Sequence, residues 1–180
     1  MGIGRAESGA GDCILLTGMM GCGKSSVGRV IAQRNGLRFI DTDTEIEARA
    51  GRRVSEIFAV EGEPRFRELE REALRALPQS GAVVALGGGA VVAAENRAIL
   101  ATKGTLVWLD ASPETLASRT AGDTARPLLA GLDPTARIER LRSLAESRRD
   151  AYAHAAVRID TDAHTTLEVA DAVTAALGIG

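Results

Sequence analysis

Aromatic residues are scarce in this chain: three Phe, one Trp and one Tyr among 180 residues. A surface that grips single-stranded nucleic acid by stacking bases on rings is therefore not expected. An excess of positive charge is missing too. Lys plus Arg number 22 against 24 Asp plus Glu, giving a net charge of −2 and a pI near 5.8. That leaves no broad electrostatic footprint for a nucleic-acid backbone, although local arginine clusters remain. There is no run of about 18 apolar residues to span a bilayer. The Gly/Ala-rich start MGIGRAESGAGD lacks the apolar core of a secretory signal and the Ser/Thr at position 6 of a myristoylation signal. Cysteine is limited to Cys13 and Cys22, with no C-x-x-C, and His154 and His164 stand ten residues apart. No disulfide framework or zinc-ligand spacing results, so small buried or loop thiols in a reducing cytoplasm are expected. Neither a nucleic acid nor a membrane is an expected partner.

The composition that remains, 45% hydrophobic and 26% charged, suits a soluble single domain of this length. Residues 1–11 read as a disordered tail and 12–180 as the domain. Short apolar runs at 13–17 (CILLT), 38–41 (RFID), 82–86 (AVVAL), 105–110 (TLVWLD) and 156–160 (AVRID) read as strands. Between them lie amphipathic segments predicted as helices, at 24–34, 44–51, 55–60, 64–77, 95–101, from Ser112–Pro113 onward, 135–151 and 167–177. Strands alternating with helices imply an α/β fold: a five-stranded parallel sheet with helices on both faces. The 121–134 stretch, AGDTARPLLAGLDP, reads as a loop long enough to have a use, such as a lid.

The most specific stretch is GMMGCGKS, Gly18 to Ser25, which fits G-x-x-x-x-G-K-[ST] between a predicted strand and helix. Glycines let backbone N–H groups wrap an anion, and the following helix points its positive end at the same place. Lys24 would reach the terminal phosphates and the Ser25 hydroxyl would bind Mg²⁺. A nucleoside triphosphate is the expected ligand. The N-K-x-D and D-x-x-G motifs of a GTPase are absent, and the third strand ends in VALGGG with no acid at its tip. Asp41 and Asp43, in FIDTDTEIE, end the second strand, where such sheets bind ligands. One carboxylate could serve the metal and the other the substrate; a plain turn and helix cap is the alternative.

For the acceptor, EPRFRELE sets Arg67 and Glu70 one helical turn apart, and SRRDAY carries Arg148 and Arg149. Arginine forks hold carboxylates, although solvated helix faces often look the same. Gly87, Gly88 and Gly89 offer backbone donors at close approach, and Arg126 lies in the 121–134 loop, where a closing lid could bring it onto the phosphates.

Taken together, GMMGCGKSSVGR, FIDTDTEIE, IF…EGEPRFRELE, LGGGAV, RTAGDTARPLL and the arginine before Tyr152 resemble the shikimate kinases, P-loop kinases of the nucleoside-monophosphate-kinase type, from about Cys13 to Asp160. The resemblance implies phosphorylation of the 3-hydroxyl of shikimate by ATP, with Mg²⁺, by a monomer in the cytoplasm, on the route to chorismate and aromatic amino acids. By motif, Lys24, Asp43 and Arg126 would be catalytic, with Asp43 the candidate base. Gly21, Cys22, Gly23, Lys24, Ser25, Ser26, Arg119 and Arg126 would hold ATP, and Ser25 and Asp41 would serve the metal. Asp43, Arg67, Gly87, Gly88, Gly89 and Arg148 would hold shikimate, with Glu70 orienting Arg67. A mobile substrate-binding subdomain would span about 43–71 and a lid about 121–134.

Three departures stand out. Ala85 replaces a serine often found two residues before G-G-G. Asp150 holds the proline place of R-x-P-x-Y, leaving Arg149 as an alternative to Arg148. The proline often near the adenine is absent from DTDAHTTLE. Another small-metabolite kinase such as a gluconate kinase, an inactive binding module and a nucleotide switch are the competing readings.

Overall fold

The computed structural model describes residues 12–122, 127–129 and 131–179. Strands β1 (Cys13–Thr17), β2 (Arg38–Asp41), β3 (Ala82–Ala85), β4 (Gly104–Asp110) and β5 (Val157–Asp160) form one sheet in the order β2-β3-β1-β4-β5. Every neighbouring pair is parallel, with Leu15 of β1 flanked by Val84 and Leu106. Successive residues of a strand point to opposite faces, yet all five residues of β1 and all four of β3 are buried. Both faces of the sheet centre are therefore covered, and this is why these strands read as unbroken apolar runs. Each Val, Leu or Ile buried there contributes about 1.5–3 kcal/mol. The edge strands β2 and β5 mix burial with exposure and carry the exposed Arg38 and Arg158.

The covering helices are α1 (Lys24–Arg34), α2 (Thr42–Ala50), α3 (Val54–Val60), α4 (Gly62–Arg75), α5 (Ala94–Ala101), α6 (Pro113–Arg119), α7 (Pro134–Tyr152) and α8 (Thr166–Leu177). α1 packs on α8 and α6 on α7. Their ends follow local chemistry. Ser112 Oγ accepts the Thr115 N–H at 3.2 Å, with Pro113 opening α6 as predicted. α2 begins two residues earlier than predicted. Asp41 is its cap, its carboxylate accepting the backbone N–H groups of Asp43 and Thr44 at 3.1 and 3.4 Å. A cap of this type contributes about 1 kcal/mol. In the 121–134 stretch, Pro127–Leu129 forms a 3₁₀ turn that buries Leu129, and Asp133 caps α7 at Pro134. Arg126 and the 1–11 tail lie outside the described residues.

Helices α2 to α4 share a small core of Ile46, Ile57, Phe66 and Ala73, separate from the main one. Three large side chains supply roughly 5–9 kcal/mol of gross burial. Ordering the backbone costs about 1–2 kcal/mol per residue. This segment cannot stand alone, so it leans on β2 and α5.

Candidate active site

The cleft lies at the carboxyl ends of the strands and has a volume of about 680 Å³. Its floor is the loop from β1 to α1. Gly18 turns out of β1 at φ +137, and a Cβ there would stand 2.2 Å from the Leu109 carbonyl oxygen, so only glycine fits. The chain then enters α1 through Gly23, whose left-handed φ of +98 makes it the helix cap. Lys24 Nζ donates to the Gly18 and Met19 carbonyls at 2.8 and 3.0 Å, holding the ammonium over its own loop. Ser25 Oγ donates to Asp41 Oδ2 at 2.7 Å, joining the loop to the end of β2. Gly21, Cys22, Ser26, Asp41, Asp43 and Gly88 also line the cleft. Cys22 and Cys13 are buried free thiols.

At the far end of the cleft Arg119, the last residue of α6, is held by two hydrogen bonds. Its Nη1 donates to Thr161 Oγ1 at 3.0 Å and its Nη2 to the Thr161 carbonyl at 2.7 Å. Thr161 follows β5 and is fully buried, so it fixes the guanidinium against the wall.

The other end is organised around Gly87–Gly89. A Cβ on Gly87 would lie 2.8 Å from Asp43 Oδ1 and 3.3 Å from Glu70 Oε1. One on Gly88 would lie 3.5 Å from Arg148 Nη1 and 3.5 Å from the Gly18 carbonyl. One on Gly89 would lie 3.0 Å from Arg67 Nη1. Three bare backbone positions thus bring two carboxylates and two guanidinium groups together beside the phosphate loop. The sequence-predicted residues Asp43, Arg67, Gly87, Gly88, Gly89 and Arg148 converge here. Arg148 is half-buried and Arg149 exposed, which settles which of the two faces the loop. Asp150 leaves the helix ladder intact, and α7 runs unbroken to Tyr152.

Glu70 is almost fully buried, and its Oε2 accepts Arg67 Nη1 at 3.0 Å. Burial pushes its carboxyl above the usual carboxylate range. Arg67 pulls it back, Asp43 adds to the rise and Arg148 opposes it. Arg67 is gripped from its other side by Glu63, at 2.9 Å. Two buried side chains that the sequence reading did not single out complete the support. Thr42 Oγ1 accepts the Gly87 N–H at 2.9 Å. Asn96 Nδ2 donates to the Ala90 carbonyl at 2.9 Å and lies 3.4 Å from Glu70 Oε2. Thr42 was visible as the middle residue of D-T-D, a polar side chain between two carboxylates. Asn96 sits among helix-forming residues and leaves no sequence signal.

The shikimate kinase family model matches residues 20–178. A shikimate kinase of Symbiobacterium thermophilum is 51% identical over 160 residues, 87% of this chain and 90% of its own length. The solved shikimate kinase from Acinetobacter baumannii in complex with shikimate superposes with a TM-score of 0.85 at 35% identity, covering 93% of each chain. A gluconokinase from Sinorhizobium meliloti, at 21% identity and a TM-score of 0.55 over 93% of this chain and 91% of its own, shares the fold alone. With a matching family model over most of its length and a relative at this identity, the chain belongs to the shikimate kinase family.

Proposed function

We propose that this chain transfers the γ-phosphoryl group of ATP to the 3-hydroxyl of shikimate, giving ADP and shikimate 3-phosphate, a step toward chorismate and the aromatic amino acids. The observation that carries the reading is the convergence on one glycine loop: Asp43 and Glu70 at Gly87, Arg148 at Gly88 and Arg67 at Gly89, next to the phosphate loop. An acceptor with a hydroxyl and a carboxylate calls for a base and a guanidinium fork on either side of it.

Each residue then has a role. The backbone of Gly21, Cys22 and Gly23, with Lys24, Ser25 and Ser26, cradles the phosphates. Arg119 packs on the base, and Arg126 reaches the phosphates from the lid. Arg67 and Arg148 grip the shikimate carboxylate while the 87–89 backbone holds its hydroxyls. Asp43 takes the proton as the 3-oxygen bonds to the γ-phosphorus and the bond from that phosphorus to the bridging oxygen breaks, its electron pair leaving with ADP. Lys24 cancels charge on the moving group. The chain works as a monomer in the cytoplasm, as the family resemblance implies. Residues 12–180 act as one kinase domain behind the 1–11 tail. The 43–71 subdomain and the 121–134 lid close over the substrates.

Ser25 and Asp41 would hold Mg²⁺. Their mutual contact at 2.7 Å gives one hydroxyl and one carboxylate. Among the described residues no cluster of three or more His, Cys, Asp or Glu forms a cage. That suits a cation which keeps its waters and takes phosphate oxygens as ligands. When bound, it neutralises phosphate charge. Ala85 pairs in register with Asp41 and brings no hydroxyl to that shell.

The test is ADP release by the purified chain with ATP and Mg²⁺, alone and with shikimate, gluconate or a neutral polyol. Turnover only with shikimate is expected. Equal turnover with gluconate, or none with any acceptor, would overturn the reading.

A further inference from the structure

Tyr152, the last residue of α7, is 1% exposed, and its ring lies 5.6 Å from that of Trp108. Its hydroxyl does not point into that apolar layer. It donates to the Gly88 carbonyl at 2.6 Å and lies 3.5 Å from Met19 Sδ in the phosphate loop. One helical turn earlier on α7, Arg148 Nη1 donates to the same carbonyl at 3.2 Å and touches the same sulfur at 3.9 Å. Two donors of one helix face therefore share one acceptor, in a loop where a Cβ on Gly88 would stand 3.5 Å from the Gly18 carbonyl. Burial pushes the Tyr152 phenol up to about 12, against the pull of Arg148, so it stays a neutral donor at any working pH.

A carbonyl oxygen carries two lone pairs. With Tyr152 on one, Arg148 needs only a single nitrogen to complete the group. Its Nη2 then has no protein acceptor among the described residues. Without the phenol, the half-buried carbonyl would keep Arg148 Nη1 as its one side-chain partner, at the longer distance of 3.2 Å, and would draw the guanidinium toward itself. The guanidinium would turn away from the pocket, and the 87–89 backbone would lose the shorter of its two ties to α7.

We propose that Tyr152 is a positioning residue of the acceptor site: its hydroxyl holds the Gly88 carbonyl, and thereby sets the Arg148 guanidinium and the glycine loop against the phosphate loop. This rests on the acceptor reading given above. Tyr152 need not touch either substrate. It acts through Gly88 and Arg148, so its removal affects the acceptor side before the nucleotide side.

The test is Tyr152→Phe, which keeps the ring and its packing and deletes only the hydroxyl. Steady-state kinetics should show the KM for shikimate raised about five- to tenfold and the KM for ATP within about twofold. In an Arg148→Ala background the same change should have no further effect on the shikimate KM, since the two residues act as one unit. In the ligand-free protein, amide hydrogen exchange at Ala90, whose N–H donates to the Gly87 carbonyl at 3.0 Å, should quicken in Tyr152→Phe. A melting temperature that falls while both KM values and the exchange stay unchanged would make the hydroxyl merely structural and overturn the proposal. Additive effects in the double variant would overturn it as well. Should the wild type fail to phosphorylate shikimate, the function reading falls, and the exchange measurement alone decides for or against Tyr152.

Discussion

The two ends of the cleft are built on different plans. The donor end is one continuous stretch, Gly18 to Ser25, and its internal contacts are short in sequence: Lys24 donates to carbonyls five and six residues earlier. Backbone conformation and a helix terminus do most of the work there. The acceptor end draws single side chains from α2, α4 and α7 onto the 87–89 loop, and holds them by contacts such as Thr42 to Gly87 and Arg148 to Gly88. It also buries a carboxylate, Glu70, among those charges. A site made of backbone tolerates loss of a side chain without losing its shape. A site made of mutually supporting side chains loses geometry, affinity and pH behaviour together.

The largest effects should separate the ends by step. Asp43→Asn keeps the size of the group and removes its basicity, and a positioned base contributes about 10²–10⁴ in rate. We expect turnover to fall by that order, with the KM for ATP within about threefold. On its proposed role, Lys24→Ala would remove a preorganised cation from the moving phosphoryl group and should cost roughly 10²–10³ in kcat. Its melting temperature should match wild type, because the loop is held by its glycines. Kinetics and a thermal melt on both variants check this. If Asp43→Asn instead weakened ATP binding and kept its turnover at saturation, the roles of Asp41 and Asp43 would have to be exchanged.

The same contrast explains what the sequence could reveal. The sheet was legible because buried parallel strands cannot hide their apolar runs. The donor loop was legible because backbone chemistry needs glycines at fixed spacing. Helix ends were legible where a capping side chain stood next to proline, as at Ser112–Pro113. α2 is the exception: RFID reads as a strand to Asp41 and the helix as opening at Thr44, whereas the Asp41 carboxylate caps a helix that starts at Thr42. Arg67, Glu70 and Arg148 were weak by spacing alone, since charged helix faces are common; only the resemblance singled them out. Asn96 and the role of Tyr152 could not be read at all. Their meaning lies in which carbonyl they reach across the fold.

The acceptor side is sharpened by the arginines. On the proposed roles, Arg67→Ala or Arg148→Ala should strip one of two guanidinium partners from a desolvated substrate carboxylate, at a cost of about 2–5 kcal/mol. An exposed pair contributes only about 0–1 kcal/mol. Each variant should therefore raise the shikimate KM at least tenfold, with a much smaller change for ATP. Arg149→Ala, on the exposed side of α7, should be silent. An effect at Arg149 and none at Arg148 would mean that the guanidinium facing Gly88 is not the one that meets the substrate.

The smallest effect concerns Glu70. Burial holds its carboxyl above the usual range despite Arg67, and its buried Oε1 has no hydrogen-bond partner among the described residues. The folded protein therefore binds the proton more tightly than the unfolded chain does. Between the ordinary carboxylate value and the raised one, the folded state carries more protons, so stability falls as pH rises through that window. The full stabilising share is present below it. Glu70→Gln cannot ionise and should flatten this slope, so that the stability difference between variant and wild type moves in the variant's favour as pH climbs from about 4 toward neutrality. Arg67 keeps Glu63 as a partner, so the helix should hold. With one of its two carboxylate anchors neutral, however, the guanidinium is less firmly aimed, and the shikimate KM should rise a few-fold. Denaturant melts at a series of pH values, with kinetics at neutral pH, measure both. Were the wild type instead to gain on the variant as pH rises, Glu70 would be a net-stabilised partner of Arg67. The acceptor end would then resemble the donor end, held by favourable local pairing, and its buried charge would not be a cost carried to position the clamp.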